Sequence, residues 1–295
     1  MVSQYKFFVN FFDPYVELMR LSTWRPAFLV VSPALFSCIF YANEVPWTLW
    51  FFILYGGYLM RTIGCVWNAI SDAHIDGCVR RTCQRPLPSG WLAVWQAGVL
   101  LAVLLGCGVC LMLWFMPLWW LGVGCLILSV LYCYSKRWSY CAHLFLGCAV
   151  GLGVFVPPMY LNLPIGLGHI ALYCGAVMWA LVYDTIYGLQ DYHDDMVLGL
   201  RGTHILVFGC PDLFVYLIPL WLGAIAMLLM VAGWHFGMGV MYHAAGACAW
   251  FWCVHKVRAV SMHDIASQNT FFKKSVLWYV LWGGGGLMDR LLNGS

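Results

Sequence analysis

Residues 47–76 read WTLWFFILYGGYLMRTIGCVWNAISDAHID, a mainly apolar stretch that runs without a break into Asn68, Asp72 and Asp76. A helix needs about 20 predominantly apolar residues to cross hydrocarbon. Nothing in this stretch alternates with the two-residue period of a barrel strand, so it reads as a helix. The rest of the chain repeats the pattern. Nine apolar runs are counted, at about 24–43, 47–67, 91–115, 118–134, 141–162, 166–187, 213–232, 238–254 and 274–292. Of the 295 residues 63% are hydrophobic and 9% charged, whereas a soluble domain carries about 25% charged residues to face water. The expected fold is therefore all-α and polytopic, with nine transmembrane helices. No Pro/Ser-rich or charged linker divides the series, so a single membrane-embedded domain over 1–295 is expected.

The basic residues are sorted by side. Nine spans group the N-terminus with the loops after spans 2, 4, 6 and 8. These segments hold Lys6, Arg20, Arg80, Arg81, Arg85, Lys136, Arg137, Arg201, Lys256, Arg258, Lys273 and Lys274, and the loops of the other face hold no Lys or Arg. The positive-inside rule places the first set on the cytoplasmic side and the C-terminus opposite. A net charge of +3 gives no reason to expect a nucleic-acid partner. Most of the 14 cysteines fall inside apolar runs, where they act as small apolar side chains. The one Cys-x-x-Cys spacing, Cys107 and Cys110, lies inside an apolar run with no second pair beside it, so neither zinc nor a disulfide framework is expected. Asp13 and Glu17 and the lack of an Arg/Ser-rich start argue against a mitochondrial presequence.

Six of the 12 acidic residues sit in two short windows, NAISDAHIDGCVRRTCQRPLPSG (68–90) and YDTIYGLQDYHDDMVLGLRGT (183–203). Carboxylates at a membrane are costly, so clustering them requires a compensating ligand. Asn68, Asp72 and Asp76 are four residues apart, which stacks them on one face of a helix continuing from span 2. Asp191 and Asp195 repeat the step, and Asp184 lies seven residues before Asp191. Like charges at this spacing repel unless a divalent cation binds between them, and hard oxygen donors suit Mg²⁺. Arg80, Arg81 and Arg85 follow the first window, Lys136 and Arg137 follow span 4, and Arg201 follows the second window. Metal shared by carboxylates and phosphate, with Arg and Lys on the outer oxygens, is a way to hold a diphosphate and stabilise its departure. Solvated helix ends and topology signals are the competing reading of these charges, and they account poorly for two evenly spaced acidic sets on one side. Arg61 lies inside span 2, seven residues before Asn68, so a buried role on the same face is expected.

These residues resemble the UbiA superfamily of intramembrane prenyltransferases, which includes the 4-hydroxybenzoate polyprenyltransferases. The resemblance runs over nearly the whole chain. It rests on Asn68, Asp72 and Asp76, preceded by RTIGCVWN and followed by RRTCQRPLPSG, and on YDTIYGLQDYHDD, whose Asp191 and Asp195 match the second motif. It implies an Mg²⁺-dependent prenyltransferase. Asn68, Asp72, Asp191 and Asp195 would hold the metal, with Asp76 and Asp184 supporting. Arg81, Arg85 and Lys136 would neutralise the leaving diphosphate, joined by Arg61 and Arg201, with Asp72, Asp191, Arg81 and Lys136 as the catalytic set. The implied partners are a prenyl diphosphate, an aromatic acceptor and membrane lipid, and Trp67, Tyr183 and Tyr187 would face the allylic cation. Two positions depart from the family pattern: Ala69 replaces the Asp of many members, and Gly151 stands where 4-hydroxybenzoate enzymes tend to carry Asn. The ending, from Asp264 through FFKK to the Gly-rich last span, is similar to fungal biosynthetic members. That implies quinone or specialised meroterpenoid chemistry and, in a eukaryote, the endoplasmic reticulum. Two alternatives stand beside transfer: a terpene cyclase using the same metal site without an acceptor, and a transporter with intramembrane carboxylates. Transporter sites are expected near mid-membrane on broken helices, unlike acids that follow apolar runs.

Overall fold

A computed structural model describes residues 12–293. Lys6, counted above among the basic residues, lies outside them. Among the described residues every regular element is a helix, as hydrocarbon demands: each apolar segment satisfies its own N–H and C=O groups. The main helices are α1 (Trp24–Ile39), α2 (Trp47–Ser71), α3 (Val94–Trp114), α4 (Met116–Ser135), α5 (Ala142–Tyr160), α6 (Leu167–Gly188), α7 (Pro211–His235), α8 (Val240–Arg258) and α9 (Val276–Asn293). Every apolar run in the sequence thus corresponds to a helix. Among the described residues, six helical stretches are long and apolar enough to cross a membrane by themselves: α2 to α7, the sixth continuing as Leu167–Val197. α1 has only 16 residues, and α8 and α9 are less apolar because they carry His243, His255, Lys256, Arg258, Asp289 and Arg290.

Two apolar clusters flank a central space. One joins α6 to α9, with Trp179 stacked on Trp278 at 4.8 Å and Trp282 fully buried. The other joins α1 to α5 around Leu49, Phe52, Phe115 and Leu118. α3 and α4 are the outer wall: only 11% and 17% of their apolar windows are buried, so most of their side chains face lipid. α5 breaks at Leu152–Phe155 ahead of Pro157 and Pro158, and the Ser37 hydroxyl of α1 donates to the Val154 carbonyl there at 2.8 Å. A neighbouring side chain thus repairs a backbone break at membrane depth.

At the end of the bundle away from the acidic windows, α9 ties three helices together. The Asp289 carboxylate accepts from the Gly239 and Met241 N–H groups at the start of α8. Arg290 donates to the carbonyls of Phe40 and Phe236, at 3.0 and 3.1 Å, where α1 and α7 end. Negative charge at a helix start and positive charge at helix ends also complement the helix dipoles.

Candidate active site

Both acidic windows break their helix at an aspartate. α2 ends at Ser71; Asp72 has φ −104° and ψ 10°, and a short helix Ala73–Cys78 follows. α6 ends at Gly188, tightens through Leu189–Asp191, and Asp191, at φ −100° and ψ 3°, starts the short helix Tyr192–Val197. The sequence expectation of one helix continuing from span 2 is therefore corrected. Both aspartates occupy the sparsely populated bridge region, where active-site residues are often found. The helical run is interrupted at each aspartate, and carboxylates of both segments line one cavity.

The charges across this gap are matched. Arg81 makes a two-pronged contact with Asp191, Nε to Oδ1 at 2.8 Å and NH2 to Oδ2 at 2.5 Å, which joins the first window to the second. Such fork-to-fork pairing fixes direction as well as charge. Burial works against the Arg81 charge, but the Asp191 hydrogen bonds outweigh it and push the guanidinium above its usual range. Arg85 holds Asp76 at 2.8 Å, and burial together with nearby Arg20 pushes its own pKa down. Lys136 donates to Asp72 and reaches Asn68 Oδ1 at 3.4 Å, while Arg137 donates to the Ser71 carbonyl at 2.8 Å. The Arg80 N–H donates to Asp194 at 3.2 Å, and His204 meets Asp195 at 3.0 Å. His204 lies over Gly188: a Cβ there would come within 2.9 Å of the imidazole, so a side chain at Gly188 would push His204 from Asp195.

Asp184 has a different setting. Its carboxylate lies 3.4 Å from the Tyr132 hydroxyl and 3.5 Å from His143 Nε2. His143 Nδ1 is held 2.5 Å from Thr203 Oγ1, which in turn lies 2.5 Å from Thr185 Oγ1. None of Tyr132, His143, Thr185, Thr203 and His204 was singled out from sequence. The signals present were Tyr132 one turn before Lys136 and buried histidines near the second window.

One cavity of about 600 Å³ is lined at its charged end by Asn68, Asp72, Asp76, Arg81, Arg85, Lys136, Asp184, Asp191, Asp195 and Arg201, with Tyr132, His143 and His204 beside them. Its walls continue through Gly64, Val31 and Val150 to Phe52, Met112, Leu118 and Val156, all apolar. Tyr183, Tyr187 and Phe272 line the charged end as well. Arg61 reaches the cavity, with its guanidinium donating to the Arg20 carbonyl at 3.1 Å and to Thr23 at 2.7 Å. Arg201 donates to the Trp138 carbonyl at 3.0 Å. Trp67 is not among the described residues lining the cavity. Ala69 packs with Leu18, Val66 and Leu87, an apolar setting in which a carboxylate would be costly. Gly151 packs against Tyr173 and Val177 rather than on the cavity wall.

The donor set suits a hard divalent cation. Asn68, Asp72, Asp191 and Asp195 offer oxygen to one space, and Asp72 Oδ1 is buried with no hydrogen-bond partner, with the Arg137 guanidinium 3.6 Å from it. Among the described residues no three His, Cys, Asp or Glu side chains converge into a preformed cage. Mg²⁺ is ordinarily held by one or two carboxylates plus substrate phosphates and water, so no such cage is needed.

Fold and site together define an integral, multi-pass, all-helical membrane protein with a charged cradle at one end of an apolar cavity. Residues 30–281 match the UbiA prenyltransferase family. The chain is 36% identical over 266 residues to the 4-hydroxybenzoate octaprenyltransferase of Ectopseudomonas mendocina, covering 87% of each. It shares its fold with a UbiA homolog from Aeropyrum pernix K1 (TM-score 0.74, 18% identity, 90% of this chain and 97% of the other). A UbiA homolog from Archaeoglobus fulgidus, solved bound to GPP and Mg²⁺, aligns at TM-score 0.61 with 14% identity over 93% and 99% of the two chains. The chain belongs to the UbiA prenyltransferase family and is a prenyltransferase.

Proposed function

We propose that this enzyme transfers a prenyl group from a prenyl diphosphate to an aromatic acceptor of the 4-hydroxybenzoate class, inside the bilayer. The observation that carries the reading is the single cavity whose charged end joins both acidic windows through Arg81 and Asp191 and whose other end is apolar. Diphosphate and hydrocarbon tail are the two chemistries that such a space matches. The acceptor class rests on the named activity of relatives about one-third identical over most of their length. The relation to specialised meroterpenoid pathways rests only on the resemblance of the C-terminal segment.

In this reading Asn68, Asp72, Asp191 and Asp195 hold Mg²⁺, and Asp76 is kept in place by Arg85. The metal supplies charge neutralisation of the diphosphate oxygens as they take up the bonding electrons. Arg81 and Lys136 bind the departing diphosphate, Arg85 and Arg201 lie at its rim, and Arg61 braces the Arg20–Thr23 turn. The C1–O bond of the donor breaks with its electron pair going to diphosphate, an electron-rich ring carbon bonds to C1, and the ring then loses the proton at that carbon. Tyr187, over which Arg81 lies at 5.6 Å, and Tyr183 present ring faces to the developing cation.

α1, α8 and α9 complete nine crossings, with the charged end of the cavity on the cytoplasmic side. The deciding experiment incubates purified protein with Mg²⁺, a prenyl diphosphate and 4-hydroxybenzoate and identifies products by mass. A prenylated phenolic acid is expected. Products formed equally from the diphosphate alone would replace transfer with cyclisation.

A further inference from the structure

The diphosphate accounts for the cations of the charged end, and the prenyl tail has no use for polar groups. One polar set on the cavity wall is left over: Tyr132, His143 and Asp184. It lies inward of the cradle. Asp184 precedes Asp191 by seven residues and Tyr132 precedes Lys136 by four, roughly 10 Å and 6 Å along their helices at 1.5 Å per residue. That is the level of the donor's first carbons, beside which an acceptor ring must lie to react.

The chemistry of the set is also distinct. Asp72, Asp76 and Asp191 are each paired with Lys or Arg, whereas Asp184, 13% exposed, lies against a phenol and an imidazole, with Lys136 and His204 acting on it only from farther off. A carboxylate not already held by Lys or Arg has lone pairs left for a further hydrogen bond. The cationic corner formed by Arg20 and Arg61 offers guanidinium donors, which cannot accept one from a hydroxyl. Thr203, itself held by Thr185, fixes the His143 ring from behind, so Nε2 and Asp184 Oδ2 stay 3.5 Å apart with room for a shared hydroxyl.

We propose that His143 and Asp184, flanked by Tyr132, form the site that hydrogen-bonds the acceptor's ring hydroxyl and sets the preference for phenols. This rests on the aromatic-acceptor reading above and assigns Asp184 to the acceptor rather than to the metal. A site built to bond a hydroxyl discriminates strongly against analogues that lack the proton, because its own polar groups are then left unpaired.

The test compares 4-hydroxybenzoate with 4-methoxybenzoate in the wild type, His143→Leu and His143→Gln. His143→Leu is expected to raise the acceptor KM by about tenfold or more and to erase the hydroxyl preference, with the donor KM within about twofold. His143→Gln, which keeps a donor and an acceptor, is expected to restore most of both. An unchanged acceptor KM and preference in His143→Leu, or a donor KM that rises in step, overturns the assignment. Binding of the phenol to protein loaded with Mg²⁺ and an unreactive thiolo-diphosphate separates this inference from the reading beneath it. Wild type that binds the phenol and transfers nothing defeats the reaction but supports the site. Equally tight phenol binding by His143→Leu defeats the site alone.

Discussion

Asp72 and Asp191 stand at corresponding places: each ends a long helix, starts a short one, lies in the bridge region and is gripped by a cation from another segment. On the proposed reading, losing either carboxylate removes a metal donor, and it takes the carboxylate partner from Lys136 or Arg81. Asp72→Ala and Asp191→Ala are therefore expected to lower turnover by at least about a hundredfold, while the purified variants remain monodisperse and helical by circular dichroism. Wild-type turnover in either would remove the cradle from the mechanism. Arg81→Lys is the sharper probe, since an ammonium keeps the charge and loses the planar fork to Asp191. It is expected to recover little of the activity that Arg81→Ala loses, measured as kcat/KM for the donor. These residues were legible in sequence because a carboxylate in a chain with 9% charged residues stands out, and a four-residue spacing fixes its face. Tyr132, His143, Thr185 and Thr203 were not. Tyr132, His143 and Thr203 are single polar residues on three other segments, and only packing brings them to Asp184 and its neighbour Thr185.

At the level of elements, hydrophobic length located the nine main helices, because water-free surroundings leave a chain no other way to satisfy its backbone. It did not locate the breaks at Asp72 and Asp191, where a four-residue periodicity reads straight through an interruption of the helix. Nor did it reveal what fastens the helix ends. The positive-inside count left the non-basic loops without Lys or Arg, and Arg290 does not disturb that pattern: it is consumed by the carbonyls of Phe40 and Phe236. Arg290→Leu leaves both carbonyls without that donor and is expected to destabilise the fold by about 1–3 kcal/mol. Thermal unfolding in detergent should show a lower midpoint, with donor affinity within about twofold of wild type because the cradle lies at the other end of the bundle. An unchanged midpoint would mean that lipid-side packing alone holds the ends of α1 and α7.

For the whole molecule, the decisive feature is polarity along one cavity. Asp72 and Phe52 both line it and are 20 residues apart on α2, roughly 30 Å at 1.5 Å per residue, about the thickness of the hydrocarbon. On the proposed reading the metal belongs only to the charged end and the prenyl tail to the apolar length. Chelation is therefore expected to abolish donor binding and turnover, with restoration by Mg²⁺, and to leave the unfolding midpoint of donor-free protein in place; a large fall in that midpoint would show a structural metal. Gly64 sits where the charged end and the apolar length meet. It lies one turn before Asn68 on the same stripe and lines the cavity, and a Cβ added there would meet nothing within 4 Å. Gly64→Phe would thus place a ring in the cavity about 6 Å inward of Asn68, the rise of four residues. A five-carbon donor would end near this ring, whereas every longer donor would have to pass it. The variant is expected to shift kcat/KM toward dimethylallyl diphosphate and away from geranyl and longer diphosphates by about tenfold or more. Competition between donors of different length in one reaction measures that ratio directly. A ratio equal to wild type would show that the tail leaves the cradle by another path, and the apolar length of the cavity would lose its assigned occupant.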